Sequence, residues 1–251
     1  MKRFILAFQF LTVFPISTSV EASPGALAGS MAYYPFVGAF QGALLAGAYA
    51  LFSVFFPVSI TAALVITLLA LTNGGLHLDG FADTVDGLAG GGSPEERMRI
   101  MRDSSTGAVG AVFVVLLLLL KYLAVSELPH DARLQAVFLF PVAGRWAMVP
   151  MACWAPYARK EGGLGESFAA NSYSTLAVST LVIAALMIVF LGPLSLVILA
   201  ALGVLVYLLT LFFKRKIGGV TGDVFGFQSE VAEVFFLLAV IAVASVISYR
   251  A

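Results

Sequence analysis

Cysteine is almost missing from this chain of 251 residues: Cys153 stands alone, so no intrachain disulfide can form and no thiolate cluster can hold a metal. Charge is nearly as scarce. Only 11% of the residues are Asp, Glu, Lys or Arg, and the signs cancel at 14 against 14. No domain-wide basic field therefore exists to release counterions from phosphates, which argues against a nucleic-acid partner. With 61% apolar residues and a mean hydropathy of +1.01, the chain has too little polar surface for a water-soluble globule. Repeats and low-complexity tracts are also lacking. What the sequence does have is long apolar runs, and the uncharged stretches 22–76 and 167–213 are each long enough for two spans of about 20 residues.

These features predict an all-α, polytopic membrane helix bundle forming one integral membrane domain over 1–251. Spans are expected near 31–54, 57–76, 107–126, 134–154, 174–192, 194–213 and 231–249, about seven transmembrane helices, with a tight hairpin at Gly192-Pro193. Ahead of them, Lys2 and Arg3 followed by apolar residues 4–14 imitate a secretory signal. Pro15 ends that run, however, and Phe4, Phe8, Leu11 and Phe14 share one helical face, which reads as a retained interfacial or half-inserted helix. Seven spans put Lys2, Arg3, Arg97, Arg99, Arg102, Arg159, Lys160, Lys214, Arg215 and Lys216 on one side, against Lys121, Arg133 and Arg250 on the other. The first side is then cytoplasmic, with chemistry-bearing loops near 74–106, 155–173 and 214–230.

Most charges that approach the apolar segments belong to Gly-Gly-Leu-His-Leu-Asp-Gly-Phe-Ala-Asp-Thr-Val-Asp-Gly, residues 74–87. On a helix Asp79, Asp83 and Asp86 sit at i, i+4 and i+7, within about 60° of one another around the axis. Carboxylates so placed repel each other unless a cation neutralises them, and an oxygen-only set suits Mg²⁺ or Mn²⁺. The alternative is a solvated loop with two Asp-Gly turns. His77, two residues before Asp79, reads as a base, a ligand-orienting group or a structural histidine.

Downstream, Ser93-Pro94-Glu95-Glu96 has the pattern of a helix start. Arg99 and Arg102, beside Asp103 and Ser104, either clamp phosphate oxygens or merely obey the positive-inside rule. A third cluster joins Lys214, Arg215 and Lys216 to the glycine-rich run Gly218-Gly219-Val220-Thr221-Gly222-Asp223, where backbone N–H groups can approach an anion. Asp223 and Glu230 could ligate a second metal or bind a substrate hydroxyl, although Glu230 and Glu233 also suit a helix N-terminus. Arg145, within a span, is expected to face the bundle interior and meet an aspartate or a phosphate. Arg159 and Lys160 belong to another cytoplasmic loop.

Together these segments resemble the cobalamin synthase family, the membrane-bound adenosylcobinamide-GDP ribazoletransferases. The likeness is carried by residues 74–87, by Met-Arg-Asp-Ser (101–104) with Gly107, by Tyr-Ala-Arg-Lys-Glu-Gly (157–162), and by Gly-Gly-Val-Thr-Gly-Asp-Val-Phe-Gly (218–226) with Glu230 and Glu233. Two departures stand out: Ser105 where a basic residue is expected, and an inserted glycine around Gly162-Gly163. The resemblance implies a Mg²⁺-dependent reaction in a bacterial or archaeal cell (inner) membrane, with its active face cytoplasmic. A hydroxyl of α-ribazole, or of its 5′-phosphate, attacks the cobinamide-side phosphorus of adenosylcobinamide-GDP and expels GMP, giving adenosylcobalamin or its 5′-phosphate. Asp79, Asp83 and Asp86, with Asp223, would hold the metal. Arg102, Arg145 or Lys214 would stabilise non-bridging oxygens, and His77 or one of the aspartates would take the proton. Homo-oligomers or contacts with other corrinoid-pathway enzymes are compatible with it. Two other readings stay open: a transporter whose carboxylates bind a coupling cation, and a CDP-alcohol phosphotransferase-like enzyme releasing CMP.

Overall fold

The computed structural model describes residues 1–16, 23–103, 105–159, 167–168 and 172–250. Its helices are α1 (Lys2–Leu11), α2 (Pro24–Ser30), α3 (Tyr34–Phe52), α4 (Val58–Thr72), α5 (Leu76–Gly90), α6 (Pro94–Ile100), α7 (Ala108–Ser126), α8 (Arg133–Trp154), α9 (Tyr173–Leu191), α10 (Ser195–Ile217) and α11 (Gly222–Arg250). No strand occurs among the described residues; a lone bridge pairs Tyr157 with Val220.

Six segments are long and apolar enough to cross a membrane: Pro24–Phe52 and the helices α7 to α11, the last over Gly222–Val246. Their outward faces carry bare hydrocarbon such as Val115, Leu181, Val189 and Val197, a surface that only lipid solvates without penalty. The protein is thus an integral membrane protein. α8 forms the centre, its apolar window 89% buried inside the protein, and it packs against α3, α9, α10 and α11. A helix that is apolar all round belongs inside a bundle, and Pro141 and Pro150 are accommodated there.

The second expected span is the exception. α4 has 15 residues, about 22 Å of helix, short of a hydrocarbon core of about 30 Å. The chain then turns by 88° into α5. Gly74 and Gly75, with φ of +62° and +73°, make that corner in a backbone region where only glycine is unstrained. The Asn73 side chain accepts the Gly75 N–H at 3.0 Å, fixing the turn. Counted as one broken span, α4 and α5 bring the number to seven.

Other expectations meet the fold with smaller changes. α6 starts as read, Ser93 accepting the Glu96 N–H at 3.2 Å behind Pro94. Gly192, at φ +78°, makes the hairpin between α9 and α10. α1 is only ten residues, about 15 Å and too short to cross alone. The residues it buries are Leu6, Ala7 and Leu11. Of the aromatic face, Phe8 and Phe14 pack on Phe40 of α3, with ring centroids 5.0 and 5.6 Å away. The last span begins at Gly222, nine residues ahead of the expected 231. The glycines there read as a loop, yet Thr221 caps the helix by accepting the Val224 N–H at 3.3 Å.

Candidate active site

The three aspartates of the 74–87 segment do lie on a helix, α5, whose opposite face is apolar and whose flank packs on α11. The contact between α5 and the start of α11 is backbone to backbone. A Cβ at Gly80 would stand 2.8 Å from the Asp223 carbonyl oxygen, so only glycine permits the approach. Phe81 and Phe227 stack alongside at 5.2 Å. The segment after α8 is bound to the segment before α11 by two backbone hydrogen bonds, Ala158 N–H to Val220 and Val220 N–H to Pro156, each 2.9 Å. These pairings bring Tyr157 and Arg159 beside Asp223 and α5.

The carboxylates then divide by their partners. Asp86 accepts the backbone N–H groups of Gly107 and Gly110, each at 2.7 Å, and so caps the N-terminus of α7. Asp223, in the first turn of α11, accepts from Arg159 Nη2 at 2.5 Å and from the Thr221 hydroxyl at 3.2 Å. Neither Asp79 nor Asp83 makes a hydrogen bond or ion pair with a described residue. Asp79, Asp223 and Asp86 repel a charge on Asp83, while Arg159 attracts it. Among the described residues no three His, Cys, Asp or Glu side chains are close enough to hold an ion by themselves. Of the expected set of Asp79, Asp83, Asp86 and Asp223, Asp86 is engaged in capping and Asp223 in ion pairing. Two free carboxylates remain, facing solvent and half-buried respectively, and their chemistry fits Mg²⁺, which keeps several waters and commonly takes only one or two protein carboxylates beside substrate phosphates.

A cavity of about 280 Å³ opens between α5, α11 and the Tyr157–Arg159 segment, with His77, Asp79, Arg159 and Asp223 in its wall. His77 is 2% exposed, and neither ring nitrogen has a hydrogen-bond partner. The Arg159 Nε is likewise buried without a partner. Tyr157 has its hydroxyl pKa raised by burial, against the nearby charges of Arg159 and Arg102, which lower it. Arg102 thus reaches the site electrostatically. A second and wider groove of about 810 Å³ lies across Asp79, which lines both. The apolar cleft of about 740 Å³ between α5, α7, α10 and α11 has only hydrocarbon and aromatic side chains in its wall and offers no chemistry.

Other expected residues lie elsewhere. Arg145 does face the bundle interior, but its partner is Glu233 of α11, not an aspartate of the site. Glu230, expected to bind a metal or a substrate hydroxyl, is 1% exposed and paired with Lys121 at 2.5 Å. Lys121 also reaches Glu233 at 2.5 Å, so it is an internal charge and not a residue of the far loops. A lone Lys in a 19-residue apolar helix could have flagged this network, because an intramembrane charge requires a partner. Asp103 is held by the Ser105 N–H and hydroxyl, at 3.0 and 2.7 Å, which lower its pKa. Arg99 and Arg215 are exposed, and Lys214 donates to the Trp154 carbonyl at 3.5 Å. Ser104, Lys160 and the Gly162-Gly163 pair lie outside the described residues. Phe168, in the cavity wall beside Tyr157 of the 157–162 motif, was not singled out by sequence.

The profile of the cobalamin-5-phosphate synthase family matches residues 3–241. Curated relatives named adenosylcobinamide-GDP ribazoletransferase include one from Desulforamulus reducens, 36% identical over 94% of both chains. The one from Geotalea daltonii is 35% identical over 97% of this chain and 98% of its own. That of Pseudomonas syringae pv. syringae is 38% identical over 95% and 98%. No solved structure matches the chain. Over nearly its whole length, then, the chain belongs to the cobalamin-5-phosphate synthase family.

Proposed function

We propose that the protein is an adenosylcobinamide-GDP ribazoletransferase. One observation carries this beyond the family match: the separate sequence blocks 74–87, 157–159 and 218–226 pack into one site around Asp79, Asp83, Arg159 and Asp223. A hydroxyl oxygen of α-ribazole, or of its 5′-phosphate, forms a bond to the cobinamide-side phosphorus, the bond to the GMP oxygen breaks, and the hydroxyl proton passes to a base.

Asp79 suits that base, because it stands in the cavity wall with no partner of its own, whereas Asp223 is tied to Arg159. Asp83, the other unpartnered carboxylate, would hold Mg²⁺, which, when bound, neutralises the charge that builds on pyrophosphate oxygens. The Arg159 guanidinium, with Nε free, and Arg102 are placed to bind phosphate oxygens. The excess of basic residues in the loops on this side supports a cytoplasmic active face in a bacterial or archaeal cell.

The test is GMP release by the detergent-purified protein from adenosylcobinamide-GDP and α-ribazole. Release that stops on chelation, returns with Mg²⁺ and is absent in Asp83→Asn supports the reading. No GMP under any condition overturns it.

A further inference from the structure

We infer that the 280 Å³ cavity beside Asp79 takes the aromatic base of the acceptor nucleoside, and that the corrinoid nucleotide stays outside it. This assignment rests on the transferase reading.

Size is the first argument. Ligand pockets for drug-sized molecules run from about 300 to 1,000 Å³, so a cavity of about 280 Å³ admits a small bicyclic nucleoside and excludes a corrin macrocycle. The groove, of about 810 Å³, is the more open of the two.

Chemistry is the second. The cavity is walled by Phe10, Tyr157, Phe168 and Phe225 with Met148, and the Phe10 and Phe168 rings meet at 4.7 Å. Flat aromatic surfaces and a polarisable thioether suit a flat, uncharged aromatic base. Of the polar groups in the same wall, Arg159 and Asp223 pair with each other and Asp79 stands at the edge shared with the groove, whereas His77 is buried with both ring nitrogens unpartnered. Such a group is costly unless a ligand completes it. A benzimidazole joined to ribose through one ring nitrogen keeps the other as an acceptor, and an imidazole N–H of His77 can donate to it.

Placement is the third. Phe10, Leu76 and Asp79 line both hollows. A ribose hydroxyl at the mouth of the cavity therefore meets the Asp79 carboxylate, which can take its proton.

The position that tests this is Gly222, which lines the cavity and where an added Cβ meets no atom within 4 Å. With each substrate varied in turn in the GMP-release assay, Gly222→Leu is expected to raise KM for α-ribazole about tenfold and to leave KM for adenosylcobinamide-GDP within about twofold. Should Gly222→Leu fail to fold, Phe168→Ala gives an independent reading. Removing that ring makes room, so the ratio of kcat/KM for a tricyclic naphthimidazole riboside over α-ribazole should rise about fivefold, a ratio that loss of folded protein alone does not move. An active wild-type enzyme whose Gly222→Leu variant loses affinity for adenosylcobinamide-GDP instead, or whose Phe168→Ala variant keeps the original ratio, overturns the assignment and leaves the transferase reading intact. A wild-type protein that forms no GMP overturns that reading and the assignment with it.

Discussion

Asp86 Oδ2 accepts the backbone N–H of Gly107 at 2.7 Å, and the other oxygen takes the N–H of Gly110, so one carboxylate of the aspartate helix fastens it to the first turn of α7. The three aspartates share a spacing but not a task. Removing the cap should cost stability, about 1–2 kcal/mol for Asp86→Ala. Asp79→Asn and Asp83→Asn, which break no described contact, should unfold like the wild type while losing GMP release. Thermal unfolding in detergent beside the activity assay separates the groups, and an Asp86→Ala protein as stable as the wild type would refute the capping role.

Arg145 and Lys121 share Glu233 inside the bundle, joining α7, α8 and α11. Glu233→Gln leaves the Arg145 guanidinium buried without its counter-charge, at a cost of about 3–5 kcal/mol. Adding Arg145→Leu removes the orphaned charge, so the double variant should be less destabilised than the sum of the single ones. Additive costs would mean that the pair is not coupled.

The close approach of α5 to α11 makes Gly80 a positioning residue. Gly80→Ala forces the Asp223 backbone away from the aspartate helix. A displacement of that size should lower kcat by roughly tenfold to a hundredfold. An unchanged kcat in stopped assays of GMP formation would show that this spacing is not critical.

Arg159 offers a way to tell the two acceptors apart. If its guanidinium binds phosphate, Arg159→Gln raises KM for α-ribazole 5′-phosphate by about tenfold and affects α-ribazole much less. Equal effects on both would assign Arg159 to holding Asp223 alone.

Much of this protein is legible in the sequence because bilayer physics is local: a helix must satisfy its own backbone and stay apolar for about 20 residues. Hence α7, α8, α9 and α10 begin and end within a few residues of expectation. The aspartate helix and the family were legible too, since helical spacing and a specific motif are written along the chain. Local pattern fails where the reason for a conformation lies on another helix. Gly222 and Gly226 read as a loop, but they belong to a helix, and Gly226 stays small there because α5 lies against it.

The sequence by itself therefore determined that the chain is a bundle of membrane helices, that its acids stand on one helical face, and which family it joins, because periodicity and motif depend only on neighbours along the chain. Tertiary structure alone decided which acids are free. Asp86, Asp223, Glu230 and Glu233 acquire their partners from residues 21, 64, 109 and 88 to 112 positions away, and pairing across such separations is set by packing, which no one-dimensional spacing contains. At the site, Asp79 and Asp83 make no hydrogen bond or ion pair with a described residue, and the buried His77 ring has no partner, a combination that only the packing of α5 against its neighbours creates.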